Sequence, residues 1–360
     1  MFFNTNTYAE VYITRYCLDM LLSLRIISLA VNGMSDIRKV QRTPSGTFFV
    51  CIPKSWAERY GLERGSIIAL NETSDGKLII DPKYGVEQAL RTITLKPGSY
   101  LSREIVAKYL LGYDIIRIEA KERINPEVRE TVKRSVSRLV GLEIVEEDYA
   151  SIVLQCLIDP SQWSPEKILR RSYAIAAGMQ RDVVNALVDG DLHLAKNVMA
   201  RDEEANRLYF LLVRILRTII QNPSLSDKFG VQPIECLDYR LVASLVETIG
   251  DECVRAAMKV LDLKGAKLAE NLKKLLVEFH LDCFKAHEDA ITAFFTGDIA
   301  LAEKVRGTRD SMVKTFANIE KVARAETIDV VPQILAAASF LQQIYEHTVD
   351  ISDLVVPKKL

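Results

Sequence analysis

The sequence predicts a multidomain α+β protein: a small N-terminal β module, an α/β linker domain and an all-α region of two tandem three-helix bundles. Three observations support this fold class. Short β-like runs joined by glycine turns occupy Ile37–Pro82, and strand and helix signals alternate over Gly85–Asp159. After Pro165 the strand signals stop, and one phrase occurs twice, as ALVDGDLHLAKNV at Ala186–Val198 and AFFTGDIALAEKV at Ala293–Val305.

Composition limits the classes of protein to consider. The chain has 360 residues, of which 49% are hydrophobic and 26% charged, as in ordinary globular proteins. Its 47 Lys and Arg against 48 Asp and Glu exclude a wholly basic nucleic-acid coat but leave room for one basic module. The six cysteines show no Cys-x-x-Cys spacing. They indicate buried thiols in a reducing compartment, so we expect a cytoplasmic protein.

The first 33 residues differ from the rest. Leu18–Val31 is apolar but contains Asp19 and Arg25, and it is too short to span a bilayer. We therefore expect no stable membrane insertion. We expect residues 1–33 to be a poorly ordered leader, or an extension upstream of a true start at Met34. The domains expected after it are residues 34–84, 85–160, 161–264 and 265–360.

The sequence of the N-terminal β module predicts two strands, a short helix and two more strands, in this order, within fewer than fifty residues. KSWAERYGL follows Pro53 and supplies the helix, and Asp75-Gly76 supplies a hairpin turn. So small a unit has little core of its own, which favours an intertwined dimer. Its first half is basic, with Glu58 as the only acid against Arg38, Lys39, Arg42, Lys54 and Arg59. These bases fit either phosphate contacts on a duplex or a solvated, edge-protecting surface.

This module resembles the AbrB/MazE swapped-hairpin DNA-binding family. The resemblance lies in the order RKVQ, VCIPKSWAERYGLERGSIIAL and a closing DG.LIIDP hairpin, over roughly Ile37–Lys83. It implies a homodimeric β-barrel whose basic residues contact DNA. The positions that match this role are Arg38, Lys39, Arg42 and Lys54.

The linker domain contains no glycine-rich phosphate loop, and we assign it no chemistry. RTITLKP, YDIIRIEA and LEIVEEDYASIVLQCLI predict strands, with amphipathic helices at SYLSREIVAKYLL and INPEVRETVKRSVSRLV. The remaining chain predicts two sets of three helices: Pro165–Val188, Leu192–Gln221 and Ile234–Leu263, then Leu268–Phe295, Ile299–Ala323 and Ile328–Val349. The repeated Gly-Asp is expected to end one helix and cap the next in each set.

Two acids stand out on the third helix of the first set. Glu247 and Asp251 are four residues apart and face away from the apolar stripe that contains Leu245 and Ile249. A pair of like charges at this spacing repels unless a cation lies over it. The pair is either an ordinary solvated face or half of a carboxylate metal site.

The helical region resembles the PhoU family of phosphate-uptake regulators. LVETIGDECVRAA is similar to that family's third-helix motif and RDEEANRLYFLLVRIL to its second helix. The resemblance implies a PhoU-like cytoplasmic regulator that binds divalent or ferric metal through acidic motifs. Glu247 and Asp251 match in full, whereas Asp202 has Asn206 four residues on in place of a second acid. In the second set the acids are shifted to Glu346 and Asp350, and Asp310 lies one residue out of register with Asp202.

These features favour a transcriptional regulator of phosphate uptake with a DNA-binding module and a helical sensor. The alternative is an adaptor that docks on a phosphate transporter or signalling protein and uses its β module for dimerisation. An enzyme is disfavoured, because the sequence shows no nucleophile and base pair, phosphate loop or Glu-x-x-His motif.

Overall fold

The structure is a computed structural model that describes residues 37–72, 76–82 and 90–357. The chain divides into two compact units, Met1–Glu87 and Gln88–Leu360. The expected leader, residues 1–33, lies outside the described residues. Among the helices of the described ranges, none combines the length and apolar character needed to cross a membrane.

The first unit has the expected order of elements. Strand β1 (Gln41–Arg42) pairs antiparallel with β2 (Phe48–Phe49), and β3 (Ala69–Glu72) pairs antiparallel with β4 (Leu78–Asp81). Between them lies helix α1 (Lys54–Arg59), which follows Pro53 and ends before Gly61, a glycine with φ of 62°. The described residues of the single chain form no closed barrel. They form two separate two-stranded sheets, and the expected homodimeric barrel would need strands from a second copy, so it stays a prediction.

The first unit has no buried side chain among its described residues. Large apolar side chains are instead exposed, including Phe48 at 67%, Ile67 at 71% and Leu78 at 60%. A single copy thus leaves apolar surface in water that a folded domain normally removes.

The second unit begins with a four-stranded sheet and two helices. Their order is β5 (Thr92–Leu95), α2 (Leu101–Leu110), β6 (Ile115–Glu119), α3 (Pro126–Ser137), β7 (Leu142–Glu147) and β8 (Ser151–Cys156). The sheet order is β5-β6-β8-β7, with β5 and β6 parallel and the other pairs antiparallel. The long run LEIVEEDYASIVLQCLI is two strands rather than one. It folds back at Asp148, whose Oδ1 accepts hydrogen bonds from the Ala150 and Ser151 amides, each at 2.7 Å.

The rest of the unit is helical. The first set contains α4 (Pro165–Asp189), α5 (Leu192–Gln221), the single turn α6 (Ser226–Phe229) and α7 (Glu235–Asp262). The second set contains α8 (Glu270–Thr296), α9 (Ile299–Gly307), α10 (Arg309–Ala323) and α11 (Val331–Asp353). The expected helix Ile299–Ala323 is therefore interrupted at Thr308, whose hydroxyl donates to Val305 O at 2.7 Å.

The repeated Gly-Asp phrase forms the same corner in both sets, as predicted. Gly190 and Gly297 end α4 and α8 with φ of 69° and 71°, a conformation that favours glycine. Asp191 accepts hydrogen bonds from the amides of His193 and Leu194, and Asp298 accepts one from Leu301. The corner is thus a helix C-cap followed directly by an aspartate N-cap.

The two sets share one core in which α4 packs on α8 and α7 packs on α11. Where α4 meets α8, Gln180 contacts His287, its counterpart 107 residues later, with 3.2 Å between Oε1 and Nδ1. The repeat thus brings two equivalent residues into contact where its two copies meet. Burial lowers the pKa of His287 to about 3, so this buried pair is uncharged.

A buried arginine ties the sheet to the helices. The Arg214 side chain on α5 is 2% exposed and donates to Tyr109 O at 2.6 Å and Tyr113 O at 3.0 Å. Its Nη2 lies 3.3 Å from Asp114 Oδ1. Helix α5 therefore connects the α/β layer with the bundle.

Candidate functional site

The acids predicted on α7 meet a third acid from α5. Glu247 and Asp251 lie one turn apart on α7, and Asp202 on α5 lies against Gly250 between them. A Cβ at Gly250 would be 3.5 Å from Asp202 Oδ1, an ordinary van der Waals distance, so Asp202 lies directly over Gly250. We call Asp202, Glu247 and Asp251 the acidic cluster.

The acidic cluster is half-buried instead of lying on a fully solvated face, because α5 packs beside α7. Asp202 Oδ2 accepts a hydrogen bond from Asn206 Nδ2 at 2.8 Å. Asp202 Oδ1 is buried and makes no hydrogen bond within the described part of the chain. A buried carboxylate oxygen without a partner is costly and favours a proton or a cation nearby.

The acidic cluster binds protons more tightly than ordinary exposed carboxylates do. Burial raises the pKa of Glu247 to about 7, and the charges of Asp251 and Asp202 add to this effect, while Arg240 and Arg255 oppose it. Burial and the charge of Asp251 also raise the pKa of Asp202. Near neutral pH the cluster therefore tends to hold a proton that ordinary carboxylates would release.

Nearby arginines compensate these acids only in part. Arg255 Nη2 lies 3.8 Å from Asp251 Oδ2, the outer limit of an ion pair, and its Nη1 bonds Glu252 more closely. Carboxylates are the ligands that hard cations prefer. Over residues 37–72, 76–82 and 90–357, however, no three or more His, Cys, Asp or Glu side chains converge closely enough to hold a metal ion.

The second set replaces the cluster with an ion pair. Arg309, 107 residues after Asp202, donates to Glu346 Oε2 at 2.6 Å. Glu346 aligns with Asp251. In the second set the Arg309 guanidinium therefore pairs with Glu346, whereas in the first set the Asp202 carboxylate lies near Asp251. Asp350 is exposed and lies 3.6 Å from His347 Nδ1. Asp310 lies one residue beyond this position, as its register in the sequence indicated, because the 107-residue spacing continues through the corner to Arg309.

The four bases of the first unit that are predicted to contact DNA, Arg38, Lys39, Arg42 and Lys54, are all exposed. Arg42 lies over the Phe48 ring at 5.4 Å, and Lys54 lies 3.6 Å from Glu58. Arg38 and Lys39 precede β1. Exposure of these bases fits both phosphate contact and ordinary solvation.

Comparison with known proteins gives a family match in the first helical set. Residues 169–260 match the family model described as the PhoU domain. The chain is similar to PhoU from Pseudomonas aeruginosa, with 21% identity and a TM-score of 0.48 over 53% of this chain and 93% of that one. It is also similar to the phosphate transport system regulatory protein PhoU from Streptococcus pneumoniae, with 17% identity and a TM-score of 0.48 over 53% and 91%. Comparison with curated proteins gives no match. Over α4, α5 and α7, which hold the acidic cluster, the chain is therefore similar to the PhoU domain family.

Proposed function

We propose that this chain is a PhoU-type regulator of phosphate transport and not an enzyme. The family match over residues 169–260 supports this function, and the acidic cluster is the observation that carries it. The acidic cluster brings three carboxylates together where α5 packs on α7, and the pKa values of Glu247 and Asp202 are raised there. A bound cation or proton would change the charge of this site. Binding there is the event through which the helices would sense and relay a signal.

The proposed ligand of the acidic cluster is a divalent or ferric metal ion. Glu247 and Asp251 would bind it, with Asp202 as a third donor after a side-chain adjustment or with a donor from another subunit. Glu346 and Asp350, the matching acids of the second set, are weaker candidates because Arg309 already binds Glu346.

Metal content of protein purified without chelator tests this assignment. We expect bound metal in the wild type and in a Glu346→Gln control, and its loss in a Glu247→Ala, Asp251→Ala double variant. Equal metal in the double variant and the wild type would reject the site.

The proposed output is DNA binding by a homodimer of the first unit. Its exposed bases Arg38, Lys39, Arg42 and Lys54 support phosphate contacts, and its exposed apolar side chains support pairing with a second copy. The alternative is an adaptor that docks on a phosphate transporter or signalling protein. The same apolar surface favours it equally, since dimerisation needs no DNA.

Salt-dependent DNA binding separates the two functions. Eight bases in a dimer predict a slope of log K against log salt of about −7, at about −0.9 per contact. Removing four by Arg38→Ala and Arg42→Ala predicts about −3 to −4 by the same rule. A Lys133→Ala, Arg134→Ala control on exposed positions of α3 should leave the slope unchanged. Equal binding to random duplex and to DNA upstream of phosphate-transport genes, with no effect of the variants, would favour the adaptor.

A further inference from the structure

Arg255 on α7 is shared between one acid of the acidic cluster and a buried acid beside it. Its Nη2 lies 3.8 Å from Asp251 Oδ2, at the outer limit of an ion pair. Its Nη1 donates to Oε1 of Glu252, the next residue along the chain. Because Asp251 and Glu252 precede Arg255 by four and three residues on one helix, a single guanidinium reaches both acids.

Glu252 is the better enclosed of these two acids, yet it is incompletely bonded. Its side chain is 2% exposed, whereas the side chain of Asp251 is 41% exposed. Glu252 Oε2 is buried and accepts no hydrogen bond from any residue in the described ranges. A buried carboxylate oxygen without a donor is costly, and a guanidinium can satisfy both oxygens of a carboxylate through paired N–H groups. Arg255 Nη2 instead lies toward Asp251, so Glu252 Oε2 stays without a donor.

The position of Arg255 bears directly on cation binding at the acidic cluster. A metal ion bound to Asp251 would lie close to the guanidinium, and two positive groups repel strongly at such a short distance in half-buried surroundings. Metal binding therefore favours movement of Arg255 Nη2 away from Asp251. Glu252 Oε2 is an acceptor already in place for the released N–H groups.

We propose that Arg255 is an internal counter-cation that regulates the acidic cluster by moving between Asp251 and Glu252. Without a metal ion, Arg255 lies between the two acids and competes for Asp251. When a metal ion binds Asp251, Nη2 turns to Glu252 Oε2 and completes a paired guanidinium–carboxylate bond. Glu252 thus strengthens metal binding without contacting the metal. This proposal rests on the cation site of the proposed function and adds the two residues that set its affinity.

Titration of chelator-treated protein with Mn²⁺, followed by the electron paramagnetic resonance signal of free Mn²⁺, tests the proposal. Arg255→Met removes the competing charge. Glu252→Gln removes the charge of the alternative partner and nearly keeps its shape. The double variant Arg255→Met, Glu252→Gln leaves no buried charge unpaired, so it keeps the test open even where Arg255→Met alone does not fold.

Two matched variants measure the effect of charge alone. Arg240→Met removes a base whose charge acts on Glu247 and whose guanidinium lies over the Tyr209 ring at 4.8 Å. Glu203→Gln removes an exposed acid whose charge acts on Asp202. Each control changes the net charge near the acidic cluster as its test variant does, but leaves Arg255 and Glu252 in place.

We expect Arg255→Met to bind Mn²⁺ about tenfold more tightly than the wild type and Glu252→Gln about tenfold more weakly, against about threefold or less in the controls. The double variant should bind within about threefold of Arg255→Met, because Glu252 acts through Arg255. Effects no larger than those of the controls, or additive effects in the double variant, would overturn the role of Arg255 and leave the cation site standing. Mn²⁺ binding by neither the wild type nor any variant would reject the site and this proposal together.

A crystal structure with Mn²⁺ bound checks the movement directly. We expect Arg255 Nη2 to lie within about 3.2 Å of Glu252 Oε2 and no longer toward Asp251. A guanidinium that keeps its place beside Asp251 while Mn²⁺ is bound would overturn the proposal.

Discussion

Replacing Glu247 with Gln should stabilise the helical unit at alkaline pH. The pKa of Glu247 is raised from 4.5 to about 7 in the fold, so the folded state holds its proton more tightly than the unfolded state. Stability from this group is therefore fully present below about pH 4.5 and is lost as pH rises through about 7. Glu247→Gln removes the charge that causes this loss.

The expected size follows from the pKa values. The difference from 4.5 to about 7 corresponds to at most about 3 kcal/mol, at about 1.4 kcal/mol for each tenfold change. Glu247 is only half-buried, and solvent screening reduces the effect to about 1–2 kcal/mol. At pH 4.5 the variant and the wild type should agree within about 0.5 kcal/mol, because both are then largely uncharged at this position.

Urea unfolding followed by far-ultraviolet circular dichroism at pH 4.5 and pH 8 measures this difference, with chelator present to remove metal. Glu346→Gln is the matched control, because Glu346 is paired with Arg309 at 2.6 Å. It should lower the free energy of unfolding at pH 8 by up to about 1 kcal/mol, the opposite sign. A Glu247→Gln variant that gains no stability at pH 8, or gains equally at both pH values, would refute the reasoning.

Four further substitutions test the packing of the helical unit. Arg214→Met should cost about 3–5 kcal/mol, because it leaves buried acceptors of the α/β layer without their donor; urea unfolding measures it, and a loss below 1 kcal/mol would contradict the role of this arginine. Asp191→Ala and Asp298→Ala should each cost about 1 kcal/mol as lost N-caps, and thermal unfolding that is unchanged in either variant would argue against the duplicated corner. Arg309→Asp should replace an ion pair with a pair of like charges beside Glu346, so that the free energy of unfolding at pH 8 falls; an unchanged free energy of unfolding would show that Arg309 compensates no charge at Glu346.

The helical architecture could be predicted because its signals are local. A Gly followed by an Asp ends one helix and caps the next through contacts within a few residues, so Gly190-Asp191 and Gly297-Asp298 mark their corners in the sequence. The interruption at Thr308 was missed because apolar periodicity continues across it. Gly307, a poor helix former beside a hydroxyl that bonds Val305 O, was the available signal.

The candidate site was predictable only in part. The spacing of Glu247 and Asp251 places them on one turn, but nothing local indicates that Asp202 lies against Gly250 on a neighbouring helix. The pairing of Arg309 with Glu346 also depends on tertiary packing. Strict use of the 107-residue spacing, however, would have identified Arg309 as the counterpart of Asp202.

In the β module the order of the elements could be predicted from the sequence, but the way its strands pack into a domain could not. Its order of strands follows from turn residues such as Gly46 and Gly61, which adopt positive φ. The homodimeric barrel stays a prediction, because a pattern in one chain does not specify how two copies would pair. The apolar side chains of β2 and β4 are exposed, so the described residues of this unit do not bury them.

Phosphate uptake by cells that lack this chain tests the proposed regulatory role most directly. The initial rate of radiolabelled phosphate uptake should be measured at low and high external phosphate in deletion cells that carry the wild type, the Glu247→Ala, Asp251→Ala variant or no copy. We predict that the wild type restores a reduced rate at high phosphate, and that the acidic-cluster variant does not. The same uptake rates in all three strains at both phosphate concentrations would contradict a role in phosphate transport.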